Sequence, residues 1–312
     1  MNLPSFFPGQ GAQFVGMGKE LAEAFGAAKD VFSAVDEALG QDLSGLIWDG
    51  DIEELTLTAN TQPALMAVSV AASRALEAEF GISPSDAKFV AGHSLGEYSA
   101  LAAAGAISVE DTAKLLRLRG NAMQAAVAPG EGAMAALLGA SIGQAEAACA
   151  AAGGICEIAN DNAPGQLVLS GEKAAIDAAC VHAKENGVKK AVPLTVSAPF
   201  HCSLMQPAAD AMAEALADAN IQSPSAQLVA NVSAAAVTDP ETIRQNLINQ
   251  VTGRVRWTES VQYMVANGVT RTGEAGAGKV LTIMQRRIQK SLEGFTLGTP
   301  EQLEAFATAI KG

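Results

Sequence analysis

The order of strand-like and helix-like segments changes near residue 129 of this chain and changes back after residue 197. Up to residue 128, short apolar segments alternate with amphipathic helical ones, which is typical of a parallel sheet covered by helices. Between residues 129 and 197 the order becomes β-α-β-β-α-β, as in ferredoxin-like domains. The first pattern then returns. The sequence predicts an α/β protein with a large domain, 1–128 and 198–312, and a ferredoxin-like insertion, 129–197.

Individual strands are predicted wherever a short apolar segment lies between helical or turn-rich segments. The predicted strands are 5–7, 88–91, 133–138, 155–160, 166–170, 188–195 and 227–232, with a further short strand near Val269. After that strand the pattern is helical at 279–290 and again from Glu301 onwards.

Charge and hydropathy exclude several classes of partner. The 312 residues include 20 Lys and Arg against 33 Asp and Glu, a net charge of -13, and the basic residues form no long block that could neutralise phosphates. The N-terminus lacks the pattern of a signal peptide, and every apolar run is shorter than the ~18 residues of a membrane span. We therefore expect a cytoplasmic protein that binds neither nucleic acid nor membranes.

The spacing of the four cysteines matches no metal-binding or disulfide motif. Cys149, Cys156, Cys180 and Cys202 form no C-x-x-C pair and have no histidine at zinc-finger spacing. The sequence therefore predicts no metal site and no disulfide framework, which agrees with a reducing compartment.

A G-x-S-x-G motif, Gly92-His93-Ser94-Leu95-Gly96, lies between an apolar strand and an amphipathic helix. In this context the glycines allow a sharp strand-to-helix turn that exposes the serine hydroxyl at a helix N-terminus, so Ser94 is a candidate nucleophile. The alternative is that Ser94 only caps the helix, because Ser94-x-x-Glu97 also fits a capping box.

A nucleophilic serine needs a base, and the chain has only three histidines. His93 precedes Ser94 in the turn and is expected to point away from it, while His182 lies among Lys and Glu in a helical segment. His201 remains, although an isolated loop histidine can also be purely structural. We predict His201 as the base and interpret neighbouring Cys202 as a small buried thiol.

Two glycine-rich segments are candidate phosphate or oxyanion sites. Gly9-Gln10-Gly11 follows the first strand but has Phe14 where a dinucleotide fingerprint needs Gly, so it indicates at most an amide donor. The segment 273–279 fits G-x-x-x-x-G-K, but Val280 follows where Ser or Thr is needed to bind Mg²⁺. We interpret it as a turn that starts a helix.

Arg117 and Arg119 lie in one predicted helix and point roughly 200° apart at ~3.6 residues per turn, so they cannot share one role. An inward guanidinium could bind a substrate carboxylate with two hydrogen bonds. Spacing alone does not decide which arginine does so.

Taken together, these motifs resemble the malonyl-CoA:acyl carrier protein transacylases, the acyltransferase family of fatty acid and polyketide synthesis. The resemblance covers nearly the whole chain. Its most specific motifs are Gly92-His-Ser-Leu-Gly-Glu-Tyr98, Arg119-Gly-Asn-Ala-Met-Gln124, Asn160-Asp-Asn-Ala-Pro-Gly-Gln166, Ser197-Ala-Pro-Phe-His201 and Asn249-Gln250. It implies an α/β-hydrolase-like core with a ferredoxin-like insertion.

The resemblance also implies roles for single residues. Ser94 would be the nucleophile, His201 the general base and Arg119 the partner of the malonyl carboxylate. Gln10 and the Leu95 backbone N–H would form the oxyanion hole, and the main-chain carbonyl of Gln250 would orient His201. Phe200 resembles the malonyl-selecting form of its motif, and Asn162 would contact substrate.

The implied activity is transfer of malonyl from malonyl-CoA to the phosphopantetheine thiol of acyl carrier protein, through a malonyl-serine ester, by a monomer that needs no cofactor. A serine esterase or thioesterase would use the same Ser94 and His201 with water as acceptor. A third possibility is a carrier-protein-binding module in which the serine turn is only a relic.

Overall fold

The computed structural model describes residues 5–311. Its strands are β1 (Ser5–Phe7), β2 (Phe89–Gly92), β3 (Gly132–Leu138), β4 (Cys156–Ala163), β5 (Gln166–Glu172), β6 (Lys190–Pro193), β7 (Gln227–Val229), β8 (Ala236–Val237), β9 (Arg271–Ala275) and β10 (Glu293–Leu297). Its helices are α1 (Lys19–Ala24), α2 (Gly26–Leu39), α3 (Leu43–Asp49), α4 (Ile52–Thr56), α5 (Thr58–Phe80), α6 (Gly96–Ala103), α7 (Val109–Ala125), α8 (Ile142–Ala151), α9 (Lys173–Glu185), α10 (Gln206–Asp218), α11 (Pro240–Thr252), α12 (Trp257–Ala266), α13 (Val280–Ile288) and α14 (Pro300–Lys311).

The large domain is built on a six-stranded sheet in the order β10-β9-β1-β2-β7-β8. All neighbouring strands are parallel except β7 and β8. Helices cover the sheet and bury the central strand β2 completely. This arrangement confirms the predicted α/β class with a parallel sheet.

The smaller sheet is antiparallel and has the order β4-β5-β3-β6. Numbered within this unit, the order is 2-3-1-4, which is the ferredoxin-like arrangement that the sequence predicted. Alanine-rich faces of α8 and α9 pack on it around Leu137, Leu169 and Ile176. Its strands lie between residues 132 and 193, inside the predicted insertion 129–197, whose boundaries stay a prediction.

Helix α5 is the longest in the described chain, at 23 residues, and most of its side chains are buried. Helix α7 packs closely against it, because a Cβ on Gly120 would lie 2.6 Å from the Cα of Ala59. This close approach brings Arg119, the neighbour of Gly120, to Gln62 of α5. Within residues 5–311 no helix is both long and apolar enough to cross a membrane.

In the C-terminal part of the chain, after residue 197, the observed strands differ from the predicted ones. The strand expected near Val269 is β9, at Arg271–Ala275, and β8 and β10 were not predicted. Strand β9 has a polar sequence, yet Glu274 is buried because its carboxylate accepts from the backbone N–H groups of Leu281 and Thr282 at the start of α13. Strand β10 lies at the sheet edge with half-buried side chains, so its hydropathy pattern is weak.

Candidate active site

The turn from β2 into α6 carries Ser94 in a left-handed backbone conformation, with φ at 53°. Few residues other than glycine adopt this region, and such strain concentrates at functional sites. The flanking glycines are required by space, since a Cβ on Gly92 would lie 1.9 Å from Gly96, and one on Gly96 would lie 2.1 Å from the Phe7 carbonyl oxygen. The turn thus has the geometry that the G-x-S-x-G motif predicted.

Asn231, just after β7, holds this turn from the neighbouring strand. Its Oδ1 accepts from the Ser94 backbone N–H at 2.8 Å, and its Nδ2 donates to the Gly92 carbonyl at 2.7 Å. The side chain is fully buried. Asn231 is not predictable from the sequence, because nothing in its local sequence points to a residue 137 positions away.

Ser94 and His201 are brought together, with 2.8 Å between Ser94 Oγ and His201 Nε2. His201 Nδ1 donates to the Gln250 carbonyl oxygen at 2.8 Å. A carbonyl can only accept, so this bond places the proton on Nδ1 and leaves Nε2 free to take the serine proton. His201 has φ at 59°, a second non-glycine residue in the left-handed region.

The His201 imidazole is held neutral. Burial, together with the positive charge of nearby Arg119, lowers its pKa to about 3. A histidine with so low a pKa is in the basic form throughout the neutral pH range, as a general base must be.

Arg119 is the arginine that faces the site. It is 1% exposed, and its Nη2 lies 3.2 Å from Ser94 Oγ. Its other partners are the amide oxygens of Gln62 and Gln250, each at 2.8 Å, so none of these three direct partners is an anion. Arg117 turns away and donates to Gln41 and Asn60. The structure thereby settles which arginine is near the serine.

A cleft of about 290 Å³ opens above Ser94, between the two sheets. Every residue in the predicted site lines it except Gln250, which lies buried behind the serine. In the described chain, the backbone N–H groups of Gln10 and Leu95 make no hydrogen bond, although both residues line the cleft. They are the pair of donors that the predicted oxyanion hole requires.

Asn162 and Phe200 form part of the cleft wall. Asn162 Oδ1 lies 2.8 Å from His93 Nε2, so His93 bonds to the wall and not to the serine. Burial lowers the His93 pKa. Phe200 packs on a small apolar cluster that contains Met134 and Val168, and it lines the cleft beside His201 in the chain.

Two alternative interpretations are excluded by the structure. No side chain caps the N-terminus of α6, so the capping-box interpretation of Ser94 and Glu97 is wrong. In the 273–279 segment, Glu274 occupies the N–H groups of α13 that a phosphate would need, so the segment is not a nucleotide loop. Cys202 is fully buried as expected, and burial raises its pKa.

Behind the serine lies a cluster of buried polar side chains that was not predicted from the sequence. It consists of Glu97, Gln62 and the side chain of Gln250, all at most 1% exposed. Glu97 is part of the Gly92–Tyr98 motif, so the available signal was its place one turn after the serine. A buried carboxylate is costly unless it is paired and hydrogen-bonded, and Glu97 has no directly bound cation.

A serine activated by a histidine at a strand-to-helix turn, in an α/β-hydrolase-like fold with a second small domain, defines a class of serine-dependent acyl-transfer enzymes. Residues 6–273 match the acyl transferase domain family. The chain belongs to that family.

Individual relatives agree with this assignment. A malonyl CoA-acyl carrier protein transacylase of Bacillus subtilis strain 168 is 45% identical over 308 residues, which cover 98% of this chain and 96% of that protein. The crystal structure of an acyl-carrier-protein-S-malonyltransferase from Bartonella henselae has a TM-score of 0.96 and 53% identity, covering 99% of this chain and 100% of that one. A structure of a type II PKS acyl-carrier protein in complex with its malonyl-transacylase matches with a TM-score of 0.95 and 40% identity, again covering 99% and 100%.

Proposed function

We propose that this chain transfers the malonyl group of malonyl-CoA to the phosphopantetheine thiol of acyl carrier protein, through an ester on Ser94, and so supplies fatty acid biosynthesis. The observation that carries the proposal is the buried Arg119 guanidinium 3.2 Å from Ser94 Oγ. A buried cation with neutral partners beside a nucleophile suits an acyl group that ends in a carboxylate. The names of the relatives support the same substrates.

In the first half-reaction, Ser94 Oγ gives its proton to His201 Nε2 and attacks the thioester carbonyl of malonyl-CoA. The N–H groups of Gln10 and Leu95 stabilise the oxyanion of the tetrahedral intermediate. When this intermediate collapses, the C–S bond breaks and coenzyme A leaves with the proton that His201 holds. Malonyl-Ser94 remains.

In the second half-reaction, the phosphopantetheine thiol gives its proton to His201 and attacks the Ser94 ester. The serine leaves with that proton, and the free enzyme is regenerated. One thioester is exchanged for another, so the reaction is close to energy-neutral. None of these steps requires a metal or redox cofactor.

The charge of Arg119 links substrate binding to base strength. In the free enzyme, burial lowers the pKa of His201, and the charge of Arg119 lowers it further. A malonyl carboxylate paired with Arg119 would offset the charge and make His201 a stronger base, whereas an uncharged acyl group would not. The site therefore favours malonyl both in binding and in the proton transfer.

Intact-mass spectrometry after brief exposure to malonyl-CoA tests the proposal. We expect one malonyl group per chain, which disappears when a carrier protein bearing phosphopantetheine is added and reappears on that protein. An adduct lost equally fast without the carrier protein would instead indicate a thioesterase. Failure to form any adduct would indicate a binding module.

Arg119→Ala is expected to change which acyl group is preferred. Without the guanidinium, malonyl must bury its carboxylate with no partner, whereas acetyl has no carboxylate and so loses no hydrogen bond. We expect the ratio of malonyl to acetyl loading, as kcat/KM, to fall by about 10²-fold, on the scale of a charged hydrogen bond of ~1.5–3 kcal/mol. The measurement is loading of Ser94 from each CoA ester.

Arg117→Ala is the matched control for that experiment. Arg117 lies two residues away in α7 and is partly buried, but it bonds to Gln41 and Asn60. Its removal should leave the ratio unchanged, and a larger change with Arg117→Ala than with Arg119→Ala would show that the wrong arginine has been chosen.

We also propose a cytoplasmic location, which is supported by four cysteines that are all free thiols in the structure. The expected monomeric state stays a prediction.

A further inference from the structure

Glu97 is a carboxylate buried in the large domain without a directly bound cation. It is 0% exposed, and burial raises its pKa to about 7. Its Oε2 accepts from the Asn231 backbone N–H at 3.0 Å and from Gln250 Nε2 at 2.8 Å, while its Oε1 has no hydrogen-bond partner in the described chain. The proposed chemistry does not use this residue, yet the fold keeps a costly group there.

Gln250 connects Glu97 to the substrate-binding arginine. Its Nε2 donates to Glu97 and, at 3.0 Å, to the Ser94 carbonyl oxygen, while its Oε1 accepts from Arg119 Nη2 at 2.8 Å. An amide rotated by 180° would place its NH₂ group against the guanidinium, where two donors would face each other. The acceptor Glu97 favours the orientation in which Gln250 presents its oxygen to Arg119.

We propose that Glu97 is a positioning residue for acyl selectivity, which acts through Gln250 to hold Arg119 in place for the substrate carboxylate. The inference rests on the proposed malonyl transfer. Because Glu97 acts through the side-chain amide of Gln250, only neutral oxygens bind the guanidinium directly. The positive charge of Arg119 therefore stays available for the substrate carboxylate. A carboxylate bonded directly to Arg119 would compete with malonyl for the same donors.

A purely structural role for Glu97 leads to a different expectation. If Glu97 only satisfied buried donors, its loss would loosen the turn at Ser94 and slow the loading of Ser94 equally for every acyl-CoA. If Glu97 positions Arg119, its loss affects mainly the substrate that uses Arg119. The ratio of malonyl to acetyl loading therefore separates the two roles.

The experiment compares Glu97→Met with Glu97→Gln, using malonyl-CoA and acetyl-CoA as donors to Ser94. Met has similar length but accepts no strong hydrogen bond, so we expect the malonyl to acetyl ratio of kcat/KM to fall about tenfold, mostly through KM for malonyl-CoA. The amide oxygen of E97Q can accept from the same two donors. That variant should stay within about threefold of the native ratio.

Glu274→Met is the matched control, because Glu274 is also fully buried and also accepts two hydrogen bonds, but from backbone N–H groups at the start of α13. This variant should change kcat/KM for malonyl-CoA and kcat/KM for acetyl-CoA by the same factor. Circular dichroism reports folding, and if E97M does not fold, Glu97→Asp takes its place, since a side chain shorter by one methylene cannot reach Gln250.

Two results would overturn the inference. Equal losses for malonyl and acetyl in E97M or E97D would leave Glu97 a structural role only, and an E97Q variant as defective as E97M would show that the hydrogen bonds are not what matters. Both results are distinct from failure of the proposed function, in which the native protein would form no malonyl adduct at all.

Discussion

Ser94→Ala protein exposed to malonyl-CoA is expected to carry no malonyl group and to transfer none to a carrier protein. The variant keeps the Cβ, and therefore the backbone constraints of the turn, but loses the only hydroxyl that lies 2.8 Å from His201 Nε2 in the described chain. Intact-mass spectrometry measures the adduct, and a transfer assay measures turnover.

Cys202 is the residue that could replace the serine, because it directly follows His201 in the chain. Its thiol is fully buried and lies 3.1 Å from the Pro199 carbonyl oxygen, and burial raises its pKa, which disfavours the nucleophilic thiolate. Cys202→Ala should therefore keep malonyl loading. A malonyl adduct that persists on Ser94→Ala protein would refute Ser94 as the nucleophile.

The parts of the site that the sequence predicted are those with a local signal. The turn at Ser94 was predictable because the crowding between Gly92 and Gly96 is set within five residues. His201 was predictable by elimination, since a chain with three histidines offers few bases. The ferredoxin-like unit was predictable because its six segments are consecutive and its two central strands, β3 and β5, contain apolar runs.

The parts that the sequence did not predict depend on contacts between distant segments. The choice between Arg117 and Arg119 depends on how closely α7 approaches α5 at Gly120, which no periodicity reveals. Asn231 and Glu97 lie 134 positions apart and meet only because β7 is the neighbour of β2 in the sheet. The local pattern at Glu97 also fits a capping box, but its carboxylate accepts hydrogen bonds from Asn231 and Gln250 instead.

The missed and shifted strands have a related cause. Strand β9 buries Thr272 and Glu274 because each has a hydrogen-bond partner on α13, so its residues are polar where a buried strand would ordinarily be apolar. Hydropathy depends on the composition of a strand and not on its hydrogen-bond partners. A buried strand whose polar side chains are hydrogen-bonded is therefore not predicted by its hydropathy pattern.

His201→Ala is expected to slow both half-reactions by about 10²-fold or more, which is the usual contribution of a positioned general base. Ser94 would keep its turn and the two N–H donors of Gln10 and Leu95, so some loading of the serine should remain, unlike in Ser94→Ala. Because the same imidazole takes the proton from Ser94 and later from the incoming thiol, loading and transfer should fall together. Rapid-quench measurement of each half-reaction tests this expectation.

His182→Ala is the control, since His182 lies on α9 of the small domain and does not line the cleft. It should leave both half-reactions unchanged, and a larger loss with His182→Ala than with His201→Ala would remove His201 from the mechanism. A loss confined to one half-reaction would also contradict the proposal, because a single base 2.8 Å from Ser94 Oγ must serve the serine both when it attacks malonyl-CoA and when it leaves.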